Sequence, residues 1–196
     1  MNFLAHLYLS GNDPEIMVGN FLGDFVRGRN LLERYKKNIA MGIELHRTID
    51  EFTDTHPVVA QSKNRLRGKY RHYSAVIVDI FYDHFLAKHW HEYSRELLPD
   101  FADHAYRILQ QHLGIFPQDA RHMLPYMVNG NWLVNYAKQE GIQRSLSGMA
   151  RRTKFNSRMD ESVQDMVLYY EEFYGEFKTF FPQLKKIADE FIQRHR

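Results

Sequence analysis

The chain has 196 residues, with 26 Lys and Arg against 24 Asp and Glu and a formal net charge of +2. That length suits one domain with a sizeable core. The absence of cysteine excludes disulfides, thiolate metal sites and cysteine nucleophiles together.

The near-balanced charge gives no bulk case for nucleic-acid binding. No apolar run approaches the roughly 20 residues that span a bilayer. The opening MNFLAHLYLSGNDPE lacks the basic region of a signal peptide. A cytoplasmic protein without a membrane or nucleic-acid partner is the expectation.

Apolar residues recur at three- and four-residue intervals through most of the chain, the helical period. NFLAHLYLS reads as a short helix. Asn12-Asp13-Pro14-Glu15 starts a second, with a capping side chain followed by Pro and Glu in the first turn. It should reach about Phe25 and end at Arg27-Gly28-Arg29. A long helix is predicted from Leu31 to Thr53, with Ile39, Ile43, Ile49 and Phe52 toward the core. His56-Pro57 marks the next boundary, because the residue before proline avoids helical geometry.

A basic helix follows from Val58 to Arg71, then the most apolar one, Ser74 to Trp90. Pro99 opens a helix to about Leu113, and Pro117 one from Gln118 to Tyr126. Asn129-Gly130 breaks the chain before short helices between Trp132 and Met149. The end reads as one helix from Ser157 to Phe180, a break at Phe181-Pro182, and a last helix to about Arg194. The expected fold class is all-α, a single-domain helical bundle with its site in residues 1–152 and its C-terminal helices in 157–195.

Three segments could carry chemistry. In HRTIDEFTD, His46, Asp50 and Asp54 stand at i, i+4 and i+8, on one helical face. Imidazole with carboxylate suits Mn, Fe or Zn, and carboxylate with water suits Mg or Mn. The same residues admit a structural use, with Asp50 paired to Arg47. In DIFYDHF, Asp79 and Asp83 share a face of a helix so apolar that burial is expected, and a buried carboxylate needs a counter-charge. A cation between the two supplies one. The third candidate joins His6, inside FLAHL, to Asp24, inside GNFLGDFVRG; Arg27 and Arg29 beside a glycine offer a phosphate corner. Convergence of such groups from separate helices is how bundles build metal sites.

The ordered blocks NFLAHL, GNFLGDFVRG, GIELHRTIDEFTDTHP, VDIFYDHFLAKHW and NWLVNYAKQEGIQRSLSGMARR resemble the acyl carrier protein phosphodiesterases. They span most of residues 1–152. The resemblance implies removal of the phosphopantetheine arm from holo-acyl carrier protein by phosphodiester hydrolysis. It also implies a divalent cation, most often manganese, and a distant, HD-like relation to the all-helical HD phosphohydrolases. Those use a His, His-Asp, Asp metal set. This chain has only the reverse dipeptide, Asp83-His84, so ligand positions do not transfer by motif.

On this reading the metal candidates are His6, Asp24, His46, Asp50, Asp79 and Asp83, with Mn ahead of Mg, Fe or Zn. Asp24 is also a catalytic candidate. Arg27 or Arg47 would offset charge on the phosphate, and His84 would protonate the leaving serine. The carrier is acidic, so basic clusters are its expected docking points: Arg65, Arg67, Lys69 and Arg71, and Arg151 with Arg152. Two other readings stay open: an HD-like phosphohydrolase acting on a nucleotide or small phosphoester, and a non-catalytic helical adaptor for acidic proteins.

Overall fold

The computed structural model describes residues 1–195, and within them eleven α-helices and no strand. The first helix, α1 (Phe3–Tyr8), is short but almost wholly apolar, and Leu4, Ala5, His6 and Leu7 are buried. Six residues are too few to hold a helix in water unaided, so α1 depends on its packing and on what caps it. The Asp13 carboxylate caps α2 (Pro14–Leu22) by accepting from the Glu15 and Ile16 N–H groups, as the Asn-Asp-Pro-Glu signal predicts. The extension toward Phe25 is a separate 3-10 turn, Gly23–Phe25.

Helix α3 (Lys37–Thr55) starts six residues later than predicted. Residues 31–36 form turns instead, in which the Leu31 carbonyl accepts from both Arg34 and Tyr35. This seats Leu31 in the core without continuing the helix. Helices α2 and α3 touch backbone to backbone. A Cβ on Gly19 would lie 2.0 Å from the Ile39 carbonyl oxygen, and one on Gly42 2.2 Å from that of Ile16. Only two glycines allow that approach, which brings the residues after Gly19 against His46.

Helix α4 (Pro57–Tyr70) is capped by His56, whose Nδ1 accepts from the Val58 N–H. Helix α5 (Ser74–Lys88) is the central element, with Ile77, Val78, Ile80, Phe81, Tyr82 and Phe85 buried. A helix apolar on most sides must be surrounded, and here α1, α4, α9 and α11 cover it. Helices α6 (Leu98–Gln111), α7 (Gln118–Asn129), α8 (Trp132–Asn135) and α9 (Gln139–Arg152) follow.

The C-terminal segment departs from prediction. The chain breaks at Tyr169, between α10 (Ser162–Leu168) and α11 (Tyr170–His195), and α11 runs unbroken through Pro182. An interior proline costs about 3 kcal/mol. Phe177, Phe180, Phe181 and Leu184 are fully buried around it, and burying such side chains contributes about 1.5–3 kcal/mol each. Packing therefore outweighs the proline. One core runs from Leu4 on α1 to Ile192 on α11. No helix among the described residues is long and apolar enough to cross a membrane.

Candidate active site

The site forms where α1, the end of α2 and the middle of α3 meet. The His6 and His46 rings stack with centroids 4.0 Å apart. His46 Nε2 lies 3.1 Å from Asp50 Oδ2 and 3.4 Å from Asp24 Oδ1. His6 Nε2 lies 3.2 Å from Asp50 Oδ1. Ligand atoms of His6, His46 and Asp50 all fall within 4.8 Å of one another.

Asn20 fixes both rings, although sequence reasoning passed over it. Its amide nitrogen donates to the His6 carbonyl at 2.7 Å and to Ser10 Oγ at 3.0 Å. That orientation turns its Oδ1 to His6 Nδ1, 2.9 Å away. An amide oxygen can only accept, so Nδ1 of His6 carries the proton. His46 Nδ1 donates to the Asn20 backbone carbonyl at 2.8 Å. Both Nε2 atoms therefore present lone pairs to the same point when the rings are neutral. His6 Nε2 is buried and makes no hydrogen bond among the described residues. Its 3.2 Å approach to Asp50 lacks hydrogen-bond geometry. Two imidazole lone pairs and a carboxylate converging on one point, with one nitrogen otherwise orphaned, fit a divalent cation.

The electrostatics agree. Burial disfavours a charged His46, but the Asp24 and Asp50 carboxylates outweigh it and lift its pKa to about 9. Burial and the neighbouring His46 lower that of His6. Burial pushes the Asp24 and Asp50 carboxyls up, yet the histidines prevail and hold both below the usual carboxylate range. The Met1 amino group, 3.9 Å from Asp50, meets part of the cluster's negative charge, and a proton on His46 or a cation meets more of it. Gly23 belongs to this geometry, because a Cβ there would lie 2.1 Å from His46 Cγ.

The Asp24 side chain remains 54% exposed and Asp50 42%. Asp24, Phe3 and Met149 line two adjoining clefts, of about 380 Å³ and 430 Å³. The first runs toward α7, α8 and α9. The second contains Asp50, Asp54 and Asp79.

A family model described as acyl carrier protein phosphodiesterase matches residues 1–184. The chain belongs to that family. A relative from Photorhabdus laumondii is 36% identical over 193 residues, with 96% of each chain covered. One from Yersinia pestis is 35% identical over 96% of this chain and 97% of its own. One from an Enterobacter species is 35% identical over 94% and 95%. All three carry the name acyl carrier protein phosphodiesterase. No solved structure matches the chain.

Family membership does not by itself place the ligands, and the geometry sorts the predicted residues. His6, His46 and Asp50 come together, with Asp24 beside them. Asp79 stands at the edge, its Oδ1 3.0 Å from the Met1 amino group. Asp83 is outside the cluster. It is 0% exposed, and its carboxylate accepts from the Asn2, Leu4 and Ala5 N–H groups at 3.2, 2.8 and 3.4 Å. The N–H groups at the start of α1 thus satisfy the Asp83 oxygens inside the fold, where a metal was expected. His84 is also elsewhere, with its Nδ1–H donating to the Tyr136 carbonyl at 2.7 Å and burial lowering its pKa to about 4. It does not line either cleft at Asp24.

Arg47 ties down the loop after Asp24, donating to the Gly28 carbonyl at 2.7 Å and to Glu44 at 2.8 Å. Its guanidinium holds that loop to α3. Arg27 is exposed and lines neither cleft. Arg144, which sequence reasoning missed, lines the cleft that holds Asp24, and has no ion-pair partner among the described residues. Its signal was the i, i+4, i+8 spacing of Arg144, Gly148 and Arg152, which puts all three on one face of α9.

The basic clusters divide. Arg65 makes a bidentate pair with Glu176 at 2.7 and 2.8 Å, and Lys69 pairs with Asp165 and Glu161. These two fasten α4 to the C-terminal helices and are not free docking charges. Arg67, Arg71, Arg151 and Arg152 are exposed.

The role of Asp83 gives a stability prediction. Asp83→Ala strips the acceptor from three N–H groups and should cost about 3 kcal/mol. By thermal melting the midpoint should fall by roughly 6–12 °C. Burial, opposed by the Met1 charge and the N–H bonds, raises the Asp83 carboxyl to about 7. The folded form then binds a proton that the unfolded chain has already lost. This group's contribution is full below pH 4 and declines as pH rises to about 7. The gap between wild type and variant should narrow over that window. A gap that widens there would count against a raised Asp83.

Proposed function

We propose that the chain hydrolyses the phosphodiester joining a phosphopantetheine arm to a serine of acyl carrier protein, with a divalent cation held by His6, His46 and Asp50. The observation that carries the cation is the pair of imidazole Nε2 atoms fixed toward Asp50 by Asn20. The imidazole and carboxylate set admits Mn, Fe or Zn, and Mn is the choice among them that the family resemblance implies. When bound, the cation supplies Lewis acidity toward a phosphoryl oxygen and acidifies water.

The chain's own residues do the rest. Asn20 keeps both rings in one tautomer. Asp24, ionised and half-exposed at the junction of the clefts, takes a proton from the attacking water. The new bond joins the water oxygen to phosphorus, and the bond from phosphorus to the serine oxygen breaks. The serine oxygen gains the proton that Asp24 received, so the products are apo-carrier and free phosphopantetheine. Arg144 offsets charge on the phosphate.

The test is intact mass of purified holo-carrier incubated with the protein, with Mn or with chelator. Release of apo-carrier with Mn alone is expected. Holo-carrier that stays intact while Mn is bound removes the reading.

Acidic carrier should dock over the exposed end of α9. Reversing both charges, Arg151→Glu with Arg152→Glu, should raise KM for holo-carrier about tenfold at low salt, with a smaller effect at high salt. An unchanged KM at low salt would move docking to another face.

A further inference from the structure

We infer that the cleft between α7, α8 and α9 is the subsite for the pantetheine arm. This rests on the phosphodiesterase reading above. The scissile phosphate carries two substituents, and two clefts open from Asp24. Their chemistry differs. The second is the acidic one: besides Asp24 it is lined by Asp50, by Asp54, which pairs with Lys63 at 2.7 Å, and by Asp79, which pairs with the Met1 amino group at 3.0 Å. The first is walled by Phe25, Met123, Trp132 and Met149 and contains no carboxylate beyond Asp24.

The arm is uncharged past its phosphate. It has a branched dimethyl carbon, two amides and a thiol. A mostly apolar slot with a few polar groups is what such a ligand needs. The branched carbon matches the Phe25, Met123 and Trp132 wall. Ser145 Oγ donates to the Gly141 carbonyl at 3.2 Å and keeps lone pairs for an amide N–H. Asn135 donates its amide nitrogen to the Gly130 carbonyl at 2.8 Å and keeps its oxygen as an acceptor. Arg144 offers a charged donor with no partner among the described residues. The volume of about 380 Å³ is in the range of small-ligand sites.

Gly148 supplies the handle for a test. It lines the cleft, and a Cβ there would meet nothing within 4 Å. A side chain here starts in open space, so Gly148→Leu is the substitution chosen to crowd the slot. The first measurement uses the wild-type protein with ¹³C-methyl methionine and free pantetheine as the probe. Met123 and Met149 signals should shift, while those of the buried Met17 and Met127 should not. In Gly148→Leu the pantetheine shifts should vanish. KM for holo-carrier should rise about tenfold or more.

Two results overturn the assignment: no shift at Met123 and Met149 with millimolar pantetheine in a protein that cleaves holo-carrier, or an unchanged KM in Gly148→Leu. Failure of the wild type to release apo-carrier strikes the phosphodiesterase reading instead. The two failures appear in different measurements.

Discussion

An Asp50→Ala variant should keep its helices and lose phosphodiester hydrolysis by at least about a thousandfold. Asp50 is the only carboxylate in the three-residue donor cluster and approaches both histidines, at 3.2 Å from His6 and 3.1 Å from His46. Without it, two neutral imidazoles are left to hold a cation, and the most favourable charge in the set is gone. Mn uptake, followed by electron paramagnetic resonance of the bound ion, should fall with activity. Far-UV circular dichroism should be unchanged, because Asp50 is partly exposed and anchors no helix end. A variant within tenfold of wild type would remove Asp50 from the cation site.

Asn20→Leu should have the next largest effect, of a different kind. Asn20 touches neither cleft at Asp24, so it is a positioning residue. The substitution keeps the backbone carbonyl that holds His46, and removes the amide that fixes His6 and bridges to Ser10. His6 is then free to adopt the other tautomer, with its proton on Nε2. Losing an outer hydrogen bond of this sort lowers metal affinity or activity by about 10–100-fold. The Mn concentration for half-maximal rate should rise by that factor, and saturating Mn should recover most of kcat. The buried polar groups left unpaired should also cost about 1–3 kcal/mol by denaturant unfolding. An unchanged Mn dependence with reduced stability would assign Asn20 to folding alone.

The sequence determined more of the fold than of the site. Helical period, the Asn-Asp-Pro-Glu start and the His56-Pro57 boundary are local signals, and local hydrogen bonds to Asp13 and His56 realise them. The late start of α3 and the passage of α11 through Pro182 depend on Leu31, Phe177, Phe180 and Phe181 finding room in a shared core. No local pattern reports that room.

The histidines and aspartates were visible as candidates for the same reason the helices were: their spacing puts them on faces. Spacing gives direction on one helix and says nothing of what faces it. His46 and Asp50 point to His6 because glycines at 19 and 42 let α2 and α3 touch. Asp83 looked equally suited to a cation by sequence, since its helix is buried and needs a positive partner. The tertiary structure gives it the N-terminus of α1 instead. Sequence alone showed carboxylates among apolar residues, where donors, a proton or a cation have to satisfy them. Only the packing of α1 decided which would meet a helix end and which is left beside two imidazole lone pairs, because a helix dipole acts within one turn of its end and its direction is set by the fold.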